Sequence, residues 1–230
     1  MNNAKIKKIK LIAFDLDNTL YDESLYFKYG INSISLKLKK ELGLDPNKSE
    51  KKLWKILNEN GKHYHHLFDD FLKEVNLEKN DYLPKLLKTF TDVNQKLILF
   101  SGVADLLKKL KEKYRIAIIT NGRQEIQKNK INLLNIKQFF DFIIYSSELK
   151  EDKPSKFPFQ YLLDQANIKS ENMIYVGDNP LTDFKGAKQL GIFTIRIPNK
   201  EFDRTHFNEK NDADLKINKL NELIKILNMK

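Results

Sequence analysis

The chain of 230 residues has no cysteine, which excludes disulfides, thiolate metal sites and a cysteine nucleophile. Glycine and proline are sparse, at eight and six, and no stretch has the biased composition of a linker or a disordered tail. No apolar run approaches the roughly 20 residues that a membrane helix needs. The charged start, Met1-Asn-Asn-Ala-Lys-Ile-Lys-Lys-Ile-Lys10, is not followed by an apolar segment of signal-peptide length. The expectation is a soluble, cytoplasmic protein without a membrane partner. Arginine is scarce as well: Arg115, Arg123, Arg196 and Arg204 are the only ones among 41 basic residues. A formal charge of +10 would suit a polyanion, yet bidentate recognition of phosphate and guanine leans on arginine. The lysines are also scattered among acids and apolar positions, as in Leu106–Lys113. We read a solvated, lysine-rich surface with no nucleic-acid partner, and a mild attraction for small anions as its corollary.

The stretch that organises the chain is Leu11-Ile-Ala-Phe-Asp15-Leu-Asp17-Asn-Thr19-Leu20. Four apolar residues running into acids and turn-formers predict a buried strand whose C-terminal end opens onto a loop. In an open parallel sheet that end is where ligands bind. Two carboxylates spaced i, i+2 repel unless positive charge sits between them. A divalent cation supplies it, and Mg²⁺ favours one or two carboxylates plus substrate phosphate.

Residues 21–95 then read as all-helical. Leu25 to Leu42 carries an apolar face at four-residue spacing, with Gly43 as its stop. Asp45-Pro46-Asn47 reads as a turn, and Ser49 as the cap of a helix whose stripe is Leu53, Trp54, Ile56 and Leu57. Tyr64 to Val75 and Leu83 to Phe90 are two further helical segments. The segment holds 13 lysines against 12 acids, so most of the basic excess lies outside it.

From residue 96 onward strands and helices alternate. Strands are expected at Arg115–Thr120, Phe142–Tyr145, Met173–Gly177 and Phe193–Ile197, with a short strand and a closing helix between Asp214 and Leu227. Helices are expected at Val103–Lys113, Glu125–Leu134, Phe159–Ala166 and Thr182–Leu190. The predicted fold is α/β, a doubly wound parallel (Rossmann-like) sheet formed by residues 1–20 and 96–230, with an inserted helical domain at 21–95. Three strands end in polar groups: Asp15/Asp17, Thr120/Asn121, and Asp178 with Asp183; Lys153 precedes the helix between the last two. Right-handed crossovers bring such ends to one edge of the sheet. The resulting inventory is a carboxylate nucleophile, a second acid, a hydroxyl, an ammonium and metal-binding carboxylates. It suits phosphoryl transfer, where catalysis is mostly positioning and charge stabilisation.

Asp15-Leu-Asp17-Asn-Thr19-Leu20, Thr120-Asn121-Gly122, Lys153-Pro154 and Gly177-Asp178-Asn-Pro-Leu-Thr-Asp183 resemble the four motifs of the haloacid dehalogenase-like (HAD) hydrolase superfamily, in order and at its spacing. The helical insertion resembles the cap type called C1, which marks subfamily I. The resemblance implies that Asp15 attacks phosphorus and becomes an aspartyl-phosphate. It implies that Asp17 protonates the leaving oxygen and then takes a proton from the hydrolytic water. Thr120 and the Asn121 backbone N–H would hold a phosphoryl oxygen, and Lys153 would offset charge around the nucleophile. Mg²⁺ would be ligated by the Asp15 carboxylate, the Asp17 carbonyl oxygen and Asp178, with Asp183 a ligand or a supporting partner. Asn179 is expected to orient Asp178.

Dehalogenases of this superfamily lack the second aspartate of the first motif, and this chain has Asp17, so a phosphatase is expected. A phosphomutase shares all four motifs, and a non-catalytic basic binding protein on the same fold is the reading from a different class. The third motif departs from the pattern: Lys150 stands where relatives carry Gly, and Lys156 where they carry Pro, which leaves Lys150 and Lys156 as substitutes for Lys153. The cap should select the substrate by closing over it, with Tyr21, Tyr26, Phe27, His63, Tyr64, His65 and His66 as candidates. Trp54 is expected in the cap core, the His63–His66 cluster as packing or surface, and His206 in a loop. By resemblance the substrate is a small phosphorylated metabolite, a sugar phosphate or a nucleoside monophosphate, handled by a monomer or homodimer.

Overall fold

The apolar run Leu11–Phe14 forms β1, buried along its whole length. It lies between β2 (Arg115–Thr120) and β4 (Met173–Gly177), and pairs in parallel with both. Such continuous apolar strands are what a sheet covered on both faces requires. β3 (Phe142–Tyr145), β5 (Phe193–Arg196) and β6 (Leu215–Lys216) complete a six-stranded sheet in the order β3-β2-β1-β4-β5-β6, every pairing parallel. The computed structural model describes residues 7–62, 64–199 and 209–229. This is the doubly wound α/β sheet that the sequence predicts. Strand order reverses between β1 and β4, the position where ligands bind in such sheets. Asp15 and Asp178 are the residues that follow those two strands.

The chain divides into two compact units, Met1–Asp22 with Leu97–Lys230, and Glu23–Lys96. In the second, α1 (Ser24–Leu42), α2 (Pro46–Asn60), α3 (Leu67–Glu74) and α4 (Lys79–Thr91) pack without strands among the described residues. Their shared core is built on Phe90, whose ring meets Tyr26, Phe27 and Phe68 at centroid separations of 5.3, 5.4 and 5.4 Å. The Tyr26 hydroxyl donates to the backbone carbonyl of Phe90. Tyr26 and Phe27 are therefore interior residues of this unit rather than residues that line a substrate surface. Trp54 is only half-buried; Leu53, Ile56 and Leu57 fill the inner stripe of α2.

Several boundaries differ from expectation. Asp45 caps α2, its carboxylate accepting from the N–H groups of Asn47 and Lys48 with Pro46 in the first turn. Ser49 lies inside the helix and is not the cap. The pairing of a capping acid with Pro in the first helical turn outweighs the turn signal of Asp-Pro-Asn. Tyr64, His65 and His66 precede α3, so the helix expected from Tyr64 begins only at Leu67; His63 and His206 lie outside the described residues.

In the first unit, α5 (Val103–Lys111), α6 (Gln124–Leu134), α7 (Phe157–Ala166), α8 (Lys185–Gln189) and α9 (Glu222–Ile226) accompany the sheet. Leu11, Ala13, Ala117, Ile119 and Tyr175 join Phe159, Leu162 and Phe184 in one apolar cluster. Phe159 meets the Tyr175 ring edge-on at 4.9 Å, which fixes where the Tyr175 hydroxyl points. Among the described residues no helix is long and apolar enough to cross a membrane.

Candidate active site

Asp15 leaves the end of β1 with 7% of its surface exposed, and Lys153 is 3% exposed. The Lys153 ammonium donates to Asp15 Oδ1 at 2.6 Å, to Asp183 Oδ1 at 2.7 Å and to the Tyr175 hydroxyl at 2.8 Å. Burial opposes a charged lysine, but Asp15 and Asp183 outweigh it and hold the ammonium protonated well above its usual range. Lys150 and Lys156 are exposed, so Lys153 is the ammonium brought into the cluster. The irregular loop before it has a physical reading. Lys150 adopts a left-handed backbone, φ 56°, a conformation that costs glycine little.

Asp183 uses both oxygens. Oδ1 accepts from Lys153 and from the Tyr175 hydroxyl, and Oδ2 accepts from the N–H groups of Asp178 and Asn179 at 3.0 and 2.9 Å. A β-carbon at position 177 would run into the Asp183 carboxyl, so glycine before Asp178 is what lets that carboxyl reach the turn. Asn179 does not orient Asp178, contrary to expectation. Its side chain accepts from the Leu181 N–H, and Asn199, just past β5, donates to Asp178 Oδ2 instead.

Asp15, Asp178 and Asp183 each place a carboxylate oxygen within 4.8 Å of the others. Asp15 Oδ2 and Asp178 Oδ1 both lie 3.4 Å from Thr19 Oγ1, whose one proton can serve only one of them. Burial, with Asp183 and Asp17 adding to it and Lys153 opposing, pushes Asp15 up to about 7. Burial and the charges of Asp183 and Asp15 push Asp178 well above the usual carboxylate range. Two converging carboxylate oxygens short of positive charge, in an all-oxygen donor set, fit a hard divalent cation. Burial and the same acids hold the Tyr175 hydroxyl protonated.

Asp17 and Thr120 form an adjoining group. Asp17 Oδ1 accepts from the Tyr21 hydroxyl at 2.6 Å and from Lys130 Nζ at 2.8 Å, and Oδ2 accepts from Gln127 Nε2 at 2.7 Å. The same Gln127 amide donates to Thr120 Oγ1. Burial raises the Asp17 carboxyl, but Lys130, Tyr21 and Gln127 outweigh it and hold it below the usual range. The Asn121 side chain accepts from the Lys153 N–H at 3.0 Å and donates to the Lys153 carbonyl at 2.9 Å. It thus fixes the backbone that carries the ammonium.

Sequence reasoning did not single out Gln127, Lys130, Tyr175 or Asn199. A signal existed for the first two. Gln127, Lys130, Ile131 and Leu134 are the buried residues of α6, so a Gln and a Lys stand on an otherwise apolar face at i, i+3 spacing.

Residues 12–197 match the family described as haloacid dehalogenase-like hydrolase. A glyceraldehyde 3-phosphate phosphatase from Methanocaldococcus jannaschii is 34% identical over 226 residues, covering 95% of this chain and 97% of that protein. Among solved structures, the HAD-hydrolase YfnB from Bacillus subtilis bound to magnesium superposes with a TM-score of 0.69 at 24% identity, covering 96% of this chain and 99% of that one. A 2-haloacid dehalogenase from Pseudomonas syringae pv. Tomato DC3000 superposes equally broadly, with a TM-score of 0.68 at 23% identity over 96% of this chain and 98% of that one. Both show the same fold, and a fold alone does not decide the chemistry. The match spans all four motifs, and the chain belongs to the haloacid dehalogenase-like hydrolase family.

Proposed function

We propose that this HAD phosphatase hydrolyses a small phosphorylated metabolite, with a sugar phosphate as the favoured class, through an aspartyl-phosphate on Asp15. The observation that carries the reading is the cluster at the strand-order reversal, where Asp15 bears an ammonium on Oδ1 and leaves Oδ2 toward Asp178. Asp15 attacks phosphorus as the bond to the leaving oxygen breaks, and Asp17 gives its proton to that oxygen. Water then attacks the aspartyl-phosphate, returns a proton to Asp17, and releases phosphate with Asp15 restored. The approaching phosphate places negative charge beside Asp17 and pushes its carboxyl back toward protonation. Lys153 offsets charge at the nucleophile throughout, and Thr120 and Asn121 are assigned to a phosphoryl oxygen. Asp15, Asp178 and the Asp17 carbonyl are the proposed ligands of Mg²⁺, with Asp183 as their support because its own oxygens are engaged. When bound, the ion supplies charge neutralisation for the phosphoryl oxygens. A dehalogenation would have no use for Asp17, since halide leaves without a proton.

The substrate class rests on the similarity to the archaeal glyceraldehyde 3-phosphate phosphatase. The helical unit Glu23–Lys96 is assigned the selection of the substrate.

Phosphorus NMR of the purified protein with a triose phosphate or a nucleoside monophosphate tests the reading. Inorganic phosphate should accumulate with Mg²⁺ and cease with EDTA, faster from the triose phosphate. Phosphate moving to another hydroxyl would make the protein a mutase. No turnover of any ester, together with salt-sensitive binding to nucleic acid, would make it a basic binding protein.

A further inference from the structure

We infer that Gln127 and Lys130 are positioning residues that aim the Asp17 carboxyl at the leaving oxygen, with Thr120 as a second anchor of the Gln127 amide. The inference rests on the phosphatase reading and extends it to α6.

Three donors grip one carboxylate from two directions. Lys130 Nζ and the Tyr21 hydroxyl take Oδ1, and Gln127 Nε2 takes Oδ2 at 2.7 Å. A carboxylate held by donors on both oxygens has its plane fixed as well as its location, and proton transfer depends on that direction. The Gln127 amide also reaches Thr120 Oγ1, so one planar group bridges the proton donor and the end of β2. Both side chains are buried, Gln127 at 2% and Lys130 at 4% exposure. A lysine on the inner face of a helix is uncommon unless paired, and here its partner is Asp17. A purely structural role would not need the amide to touch Asp17 and Thr120 together. Neither residue contacts Asp15, Lys153 or Asp178 in the hydrogen bonds described, which separates this group from the nucleophile and its counter-charge.

Leaving-group dependence provides the test. An alkoxide needs a proton to leave and a dinitrophenolate does not, and kcat/KM reports the steps up to cleavage of that bond. Lys130→Met and Gln127→Leu, each with Mg²⁺, are assayed on a triose phosphate and on 2,4-dinitrophenyl phosphate. For each, kcat/KM on the triose phosphate should fall by about 10²-fold, the lower end of general-acid contributions, while the activated ester changes by less than about 5-fold. Lys130→Arg, which keeps a donor, should recover part of the loss. Equal losses on both esters would reduce the pair to structural support, and unchanged kcat/KM on the triose phosphate would remove the role altogether; either result overturns the inference. Gln127→Leu leaves the ion pair intact, so it still decides the matter if the lysine variant fails to fold. A wild-type protein that turns over neither ester overturns the phosphatase reading itself, and this inference with it.

Discussion

Asp15→Asn is expected to lower kcat for a phosphomonoester by at least about 10³-fold, as loss of a covalent nucleophile does, and to leave the fold intact. The amide is isosteric, but it cannot form the anhydride with phosphorus. Lys153 keeps Asp183 at 2.7 Å as its remaining carboxylate partner. The variant should also change how stability depends on pH in the protein stripped of metal. Burial, with Asp183 and Asp17 beside it, pushes Asp15 up to about 7 from its ordinary 3.8, so the folded state binds that proton more tightly than the unfolded one. Its contribution is complete below 3.8 and is lost as pH rises through about 7. Urea midpoints in EDTA should therefore decline for the wild type across that window, and decline less for Asp15→Asn. A variant that retains turnover would end the nucleophile assignment.

The second large effect belongs to Lys153→Met. The ammonium is buried against Asp15 at 2.6 Å and Asp183 at 2.7 Å, with Asp178 beside them. Methionine fills similar space without the charge. Removing one member of a buried ion pair costs about 3–5 kcal/mol because the partner charge is left uncompensated. Urea unfolding in EDTA should show a loss of that order, accompanied by loss of phosphatase activity. Excess Mg²⁺ should recover part of the stability, since a ligand that binds the folded state alone stabilises it. It should not recover the activity, because Asp15 still lacks its counter-charge. A stability loss below about 1 kcal/mol, the scale of an exposed pair, would show that the ammonium is not the anchor of the site.

Much of this was readable in the sequence for a physical reason. Buried parallel strands are continuous apolar runs, so Leu11–Phe14, Arg115–Thr120 and Met173–Gly177 could be located, and the polar residues after them follow from the sheet's geometry. Residues that support the site from elsewhere were harder to see. Asn199 lies 21 positions from Asp178 in a segment with no pattern of its own, and Asn179, its neighbour in sequence, was the natural but mistaken choice. Tyr175 reads as an ordinary strand residue because its ring belongs to the core while only its hydroxyl enters the cluster. Gln127 and Lys130 share the inner face of α6 with Ile131 and Leu134, and only the fold shows that this face meets Asp17. At Asp45 the capping acid won over the turn signal, and at Trp54 smaller aliphatic neighbours took the inner stripe.

Acid quenching during turnover, followed by peptide mass spectrometry, addresses the covalent step itself. Wild-type protein mixed with a triose phosphate and Mg²⁺ should yield the peptide containing Asp15 with one added phosphoryl group, located on that side chain and absent from Asp15→Asn. Rapid phosphate release with no phosphoryl adduct at any quench time, or an adduct on a residue other than Asp15, would contradict the account.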